Sequence, residues 1–386
     1  MTRGKSTTLI RLFVMALLMC NCSEDIVPVH LSEKSDGTNG DNDTEIPILR
    51  FIWIPKENSE DNVVFSRGEY SGYKRSEDLR NEANYNVDFT PVYPKSAEDV
   101  EGQANIIQEA IEDGVNGIAI SCNKNDKDEA TILENAIGKA VKAKIPVMTF
   151  DAACPGSDSF AHVGIDNYKG GEKAAEMLLA SMNKKPADSN RTKVAIISGV
   201  EGAKNLEDRI AGFKQYIEAH NERLNLELLN PVFCNDNEEK AVKQIEDIMK
   251  ENSEDIGAFF ILGPWPFSSC DGTDCSNRLR KWNEAAAEGK IKTVAFDILP
   301  FELNLVDSGL VTGLVGQDYG EWGSEVVEML FNCAVDSDCE DHAQSELNLV
   351  CPNNVGDTVT WWDSQSCTRP LEIATCEIDG HSVSND

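Results

Sequence analysis

The sequence predicts an α/β protein built as two similar lobes, each a parallel sheet covered by helices. Three observations predict it. From residue 46 onward, short apolar runs alternate with stretches of helical period. Those runs are continuously apolar, the mark of strands buried on both faces and therefore parallel. And two of them end alike, KIPVMTFD at Phe150-Asp151 and KIKTVAFD at Phe296-Asp297, one in each half of the chain. Open parallel sheets bind ligands outside the carboxyl ends of their strands. The two aspartates therefore stand at the rims of two sheets, where a cleft between the lobes would bring both to one ligand.

The elements follow in order. ILRFIWI (48–54) reads as a strand, residues 66–82 as a polar helix, and YNVDFTPVY (85–93) as an alternating strand. The next helix sets Ile107, Ala110 and Ile111 at helical spacing and stops at Gly114, a residue suited to the left-handed turn that ends helices. VNGIAIS is a strand. The helix after it lines up Ile132, Leu133, Ala136, Ile137, Ala140 and Val141, and IPVMTFD is a strand. The pattern then restarts. KVAIISG (193–199), LELLNPVF, IGAFFILG, KTVAFD and LVTGLVG read as strands. NLEDRIAGFKQYIEAH, EEKAVKQIEDIMKE, RLRKWNEAAAEG and GEWGSEVVEMLFN read as helices.

What flanks this core differs in kind. Arg3 and Lys5 precede an apolar run from Leu9 to Met19 that ends at Cys20 and Cys22. The run is short and is broken by Arg11, which fits a signal peptide rather than a membrane span. A cysteine directly after it resembles the lipid-modified residue of bacterial lipoproteins, so Cys20 is a candidate membrane anchor. Residues 23–45 are acidic and rich in Asp, Asn and Gly, the composition of a disordered linker. With 67 acidic against 35 basic residues the net charge is −32, which argues against a nucleic-acid partner. Ten of the 12 cysteines lie beyond the signal segment; in an exported chain such an even set reads as disulfides. There is no Cys-x-x-Cys pair and the five histidines are scattered, so no metal or other cofactor is expected. Cys122 and Cys154 follow consecutive strands and are expected to pair beside the cleft, the alternative being pairing with other loop cysteines. Cys270 with Cys275 and Cys333 with Cys339 bracket short loops. The cysteine-rich tail is expected to form a pinned cap or a third crossing between lobes.

The ordered set of motifs resembles the periplasmic sugar-binding proteins of the ribose/galactose type, the solute receptors of ABC importers, over roughly residues 46–335. IPKENSEDNVVFSRGEYSG (54–72) is similar to the family's first strand and loop, with Val63 where the family has Pro; this implies Asn62 as a polar ligand group and Phe65 as a ring against a sugar face. VMTFDAACPG matches the strand ending in a ligand-binding Asp, here Asp151, with Ala152 where many relatives carry Arg. HVGIDNYKGGEKAAEML (162–178) is similar to the segment that crosses between lobes. GVEGAKNLEDRIAGFKQYIEAH (199–220) implies that Arg209 reaches the cleft. FFILGPWPF implies Trp265 as a stacking ring, VAFDILP supplies Asp297, and LVTGLVGQDYGEWG implies Gln317 at the second crossing. The resemblance thus implies Rossmann-like lobes joined by crossover hinge strands: residues 46–164 with 318–350 in one, 165–317 with 351–386 in the other.

These residue types suit a sugar. Carboxylates accept charge-assisted bonds from hydroxyls, Arg donates several, Asn and Gln do both, and aromatic rings cover C–H faces. The implied role is a monomeric, non-catalytic receptor in the periplasm or cell envelope, delivering a monosaccharide or similar polyhydroxyl ligand to an ABC permease or a membrane sensor. Three alternatives use the same residues or fold, and the first is a receptor for a non-sugar signal. A glycosidase would use the paired aspartates as acid and base. A sugar-responsive repressor would need a basic helix-turn-helix where this chain carries a signal-like segment and an acidic tether.

Overall fold

A computed structural model describes residues 46–58, 63–83, 85–123, 127–182, 192–220, 224–268, 270, 273–336, 339, 342–363 and 375–385. The signal segment with Cys20, the linker, Asn62 and Cys367 lie outside these residues.

The first sheet holds β1 (Ile48–Ile54), β2 (Asn86–Pro91), β3 (Gly117–Ile120), β4 (Val147–Phe150), β5 (Ala161–Ile165) and β12 (His342–Ser345), in the order β12-β5-β4-β3-β1-β2 and parallel throughout. Its helices are α1 (Val63–Glu82), α2 (Val100–Asp113) and α3 (Lys127–Lys142). The second sheet holds β6 (Thr192–Ser198), β7 (Leu226–Leu228), β8 (Val232–Phe233), β9 (Ile256–Ile261), β10 (Lys292–Phe296), β11 (Gly313–Gly316) and β13 (Asn348–Val350). Its order is β13-β11-β10-β9-β6-β7, with β8 also beside β6 and β13 alone antiparallel. Around it lie α4 (Asn167–Ser181), α5 (Lys204–His220), α6 (Glu238–Glu251), α7 (Arg280–Ala287) and α8 (Pro300–Asp307).

Both sheets thus repeat one doubly wound order, second-first-third-fourth-fifth, extended at one edge by a late strand. The strands are buried because every position of β3, β4 and β11 is inaccessible. Their aromatic packing is tight: Trp53 stacks on Phe150 with centroids 3.6 Å apart, and Phe213 on Phe260 at 4.1 Å.

Three short connections join the lobes. β5 leads into α4, which packs on α5 and β10. β11 leads into α9 (Tyr319–Asp336), which packs back on α1 of the first lobe. Residues 346 and 347 then join β12 to β13. Each returning helix lies close against its neighbour through glycine. A Cβ on Gly171 of α4 would run into the Arg209 carbonyl, and one on Gly323 of α9 into the Gly68 carbonyl.

Three expectations are corrected. The second segment of lobe one does not run to residue 350: Asn348–Val350 pairs antiparallel with β11 and belongs to the second sheet. LELLNPVF is two strands, since Pro231 has no N–H to donate and the ladder breaks around it. And α8, unforeseen, starts at Pro300, with the Glu302 carboxylate accepting from the Leu299 N–H. In the tail, α10 (Val355–Asp363) rests on α8, and β14 (Thr375–Ile378) with β15 (His381–Ser384) forms a hairpin against α4 and β13. Cysteine pairs 122–154, 270–275, 333–339 and 351–376 stand at disulfide reach, with Cα separations of 5.7, 4.5, 4.4 and 5.8 Å, while Cys234 is buried and has no cysteine partner among the described residues. Among the described residues no helix is long and apolar enough to cross a membrane.

Candidate functional site

The two Phe-Asp strand ends take the same backbone form. Asp151 and Asp297 have φ of 54° and 80°, in the left-handed region that Asp tolerates better than most residues. The Asp151 N–H donates to the Val163 carbonyl and that of Asp297 to the Val315 carbonyl, each at 3.0 Å. Each strand end thus turns sharply and is tied to the next strand, and its carboxylate is directed into the space between the lobes. A third such turn follows β8, where Asn235 and Asp236 both have positive φ.

These turns open onto a cavity of about 340 Å³ between the carboxyl ends of both sheets. Of the seven residues named from sequence, Phe65, Asp151, Arg209, Trp265, Asp297 and Gln317 all line it. Asn62 is outside the described residues. Phe65 comes from α1 and meets Phe150 edge-on at 6.4 Å, so it serves the core as well. Trp265 sits in a single 3-10 turn, Trp265–Phe267, its ring lying over the bare backbone of Gly199 and Gly263.

Sequence reasoning missed or set aside other lining groups. Lys56, after β1, pairs its Nζ with Asp151 Oδ2 at 2.9 Å. It supplies the cation that the Ala152 position lacks. Asn123 follows β3, Asn205 opens α5, and Asp236 follows β8. A rule that every strand end contributes a polar group would have found Asn123 and Asp236. Behind them Gln103, fully buried on α2, donates to the carbonyls of Pro55 and Ser121 and accepts from the Asn123 N–H, so it fixes the loops after β1 and β3. Asp166 is the N-cap of α4, accepting from the Lys169 N–H at 2.9 Å.

Electrostatics distinguish the two aspartates. Burial works to raise Asp151, but Lys56, the Ser121 hydroxyl at 2.7 Å and Arg209 outweigh it and hold its carboxyl below the usual range. Burial raises Asp297, and Arg209, the Tyr319 hydroxyl (2.8 Å) and Gln317 (3.2 Å) offset it only in part. The two carboxylates are thus not equivalent: the residue is the same but the ring of donors differs. Arg209 is fixed by bonds to Asn167 Oδ1 and the Leu262 carbonyl, both 2.8 Å, and lies over Phe296 at 4.0 Å. Burial pushes Asp236 up to about 6, against the pull of Lys56.

A profile of the periplasmic binding protein domain family matches residues 72–336, more than half of the chain. The chain belongs to that family. Among curated relatives, the ribose import binding protein of Salmonella typhimurium is 33% identical over 98 residues, which is 25% of this periplasmic binding protein and 30% of the relative. The aligned stretch thus spans under a third of that relative's length. Solved structures share the fold over far more. A Burkholderia graminis ABC transporter solute-binding protein in complex with D-arabinose matches with TM-score 0.65 at 23% identity, covering 80% of this chain and 97% of that one. The XylFII–LytSN complex matches with TM-score 0.61 at 21% identity, covering 80% and 99%.

Proposed function

We propose that this periplasmic binding protein captures a monosaccharide, or a similar small polyhydroxyl ligand, between its lobes and presents it to an ABC importer or a membrane sensor. The observation that carries the reading is the cavity itself. Strand ends of both sheets, with α1 and α5, direct carboxylates, amides, a guanidinium and two aromatic rings into one space of monosaccharide scale. Asp151, Asp297, Arg209 and Gln317 would hold the hydroxyls, joined by Lys56, Asn123 and Asn205, while Phe65 and Trp265 would cover C–H faces. Asn62 completes the proposed set. Relatives named for ribose import and a fold neighbour bound to D-arabinose support the ligand class, and the neighbour named XylFII–LytSN supports the sensor branch. The protein works as a monomer without metal or cofactor, exported through its first 22 residues, held at the envelope by lipid on Cys20, and oxidised at the four cysteine pairs.

The test is a thermal-shift panel of pentoses, hexoses, polyols and nucleosides on the oxidised, signal-free protein. A ligand at one hundred times its Kd should stabilise by about 2.7 kcal/mol and raise Tm by a few degrees. A shift for one sugar or a close set is the expected result; no shift across the panel contradicts the reading.

A further inference from the structure

The polar atoms left over around the cavity are all of one kind. Among the described residues, Asn123 Oδ1, Asn205 Oδ1, Gln317 Oε1 and Asp236 Oδ1 are shut off from solvent and have no hydrogen-bond donor. The amides cannot be turned round to change this. The Asn205 NH2 donates to Asp151 Oδ1 at 3.4 Å, that of Gln317 to Asp297 Oδ1, and that of Asn123 to the carbonyls of Lys56 and Ser96. Rotating any of them would set oxygen against oxygen. Five carboxylates (Glu57, Asp151, Asp236, Glu238 and Asp297) line the cavity against two cations, Lys56 and Arg209; of the five, Glu238 is also paired with Arg278 at 2.5 Å. Both cations are engaged: Lys56 pairs with Asp151, and Arg209 is bonded to Asn167 and Leu262. A buried acceptor left unpaired is costly. The cavity therefore calls for a ligand with donors to spare and no negative charge of its own.

Asp236 is where that demand is greatest. It stands on the left-handed turn after β8, a strained conformation of the sort that persists at ligand sites. It faces Lys56, Glu57 and Asp151 from the first lobe, Arg209 from α5, the Val200 N–H and the Cys234 thiol, with Glu238 two residues on at the start of α6. Lys56 is already committed to Asp151, so no full counter-ion is left for it. We propose that Asp236 seats an amino group of the ligand, so that the cleft takes an aminated monosaccharide in preference to its neutral parent and rejects sugar acids. This rests on the monosaccharide reading above. Because Asp236 must be ionised to hold an ammonium, and burial moves its titration up to about 6, the preference fades as pH falls through that value.

The experiment is titration calorimetry at pH 7 and pH 5 with paired ligands: neutral pentoses and hexoses, their 2-, 3- and 6-amino-deoxy counterparts, and the matching uronic acids. One amino sugar should bind about tenfold tighter than its parent at pH 7. That advantage should shrink at pH 5 and vanish in Asp236→Asn, where the amino sugar and its parent should bind alike. Should Asp236→Asn fail to fold by circular dichroism, the pH 5 and pH 7 comparison on the native protein decides the matter alone. If neutral sugars bind and no amino sugar surpasses its parent, or if a uronic acid binds tightest, the amino-group assignment is overturned while sugar capture stands. If no sugar of any kind binds, the monosaccharide reading falls and takes this inference with it.

Discussion

The two strand-end aspartates show how much a side chain's surroundings decide. Asp151 and Asp297 share backbone form, burial and position, yet Lys56 and Ser121 hold one carboxyl down while burial lifts the other. The sequence makes the pair legible because Phe-Asp ends two apolar runs, but it carries no sign of the split, which comes from Lys56, Ser121 and Tyr319 brought in from elsewhere. Titration gives a prediction at this scale. Burial raises Asp236 to about 6 and Glu321 to about 7. A carboxyl whose folded pKa is raised adds stability that is complete below its unfolded value and is lost as pH rises through the folded one. Asp151, held low, acts in the opposite sense, adding stability that is lost only as pH falls through the ordinary carboxylate range and below it. The Tm of the ligand-free protein should therefore fall from about pH 4 to about pH 7 through these two groups, with Asp297 and Glu325, also raised by burial, acting in the same sense. Calorimetric scans across that range should show a shallower fall in Asp236→Asn; an identical slope in the variant contradicts the assignment of Asp236.

At the scale of elements, periodicity carried most of the fold. Helices such as α2 and α6 bury one stripe, Val100, Gln103, Ile107 and Ala110 in the first and Ala241, Val242, Ile245 and Met249 in the second, so their period is plain in the chain. What periodicity cannot register is a short element defined by its partners: β8 has two residues, β13 has three and owes its place to β11. Helix pairing also escapes it, because α4 meets α5 through glycines that have no side chain to count. Gly171→Ala would press a methyl group into the Arg209 carbonyl and force the two helices apart. It should cost about 1–3 kcal/mol by urea denaturation. It should also weaken ligand binding, since Arg209 rides on α5. Native stability in this variant would mean that the close helix approach does not matter.

For the whole molecule, the repeated strand order gives two sheets whose carboxyl ends line one cavity, and three short connections among the described residues join the lobes. The two-lobe division was legible because the strand–helix pattern restarts near residue 192. The crossings were legible only through family resemblance, since nothing in composition marks residue 166 or 317 as a passage between lobes. The cavity was legible in outline, at Asp151, Arg209, Trp265, Asp297 and Gln317. Asn123, Asn205 and Asp236 escaped notice because a polar residue in a loop has no period and becomes a site only where the fold sets it beside another strand end. The central claim is that both lobes grip one ligand through these strand ends. Titration calorimetry of Asp151→Asn and Asp297→Asn, using the sugar found by thermal shift, tests it most directly. Each variant should keep its fold and lose about tenfold to a hundredfold in affinity, from either side of the cleft. If either variant binds as the native protein does, the ligand does not lie between the two lobes' strand ends, and the account is wrong.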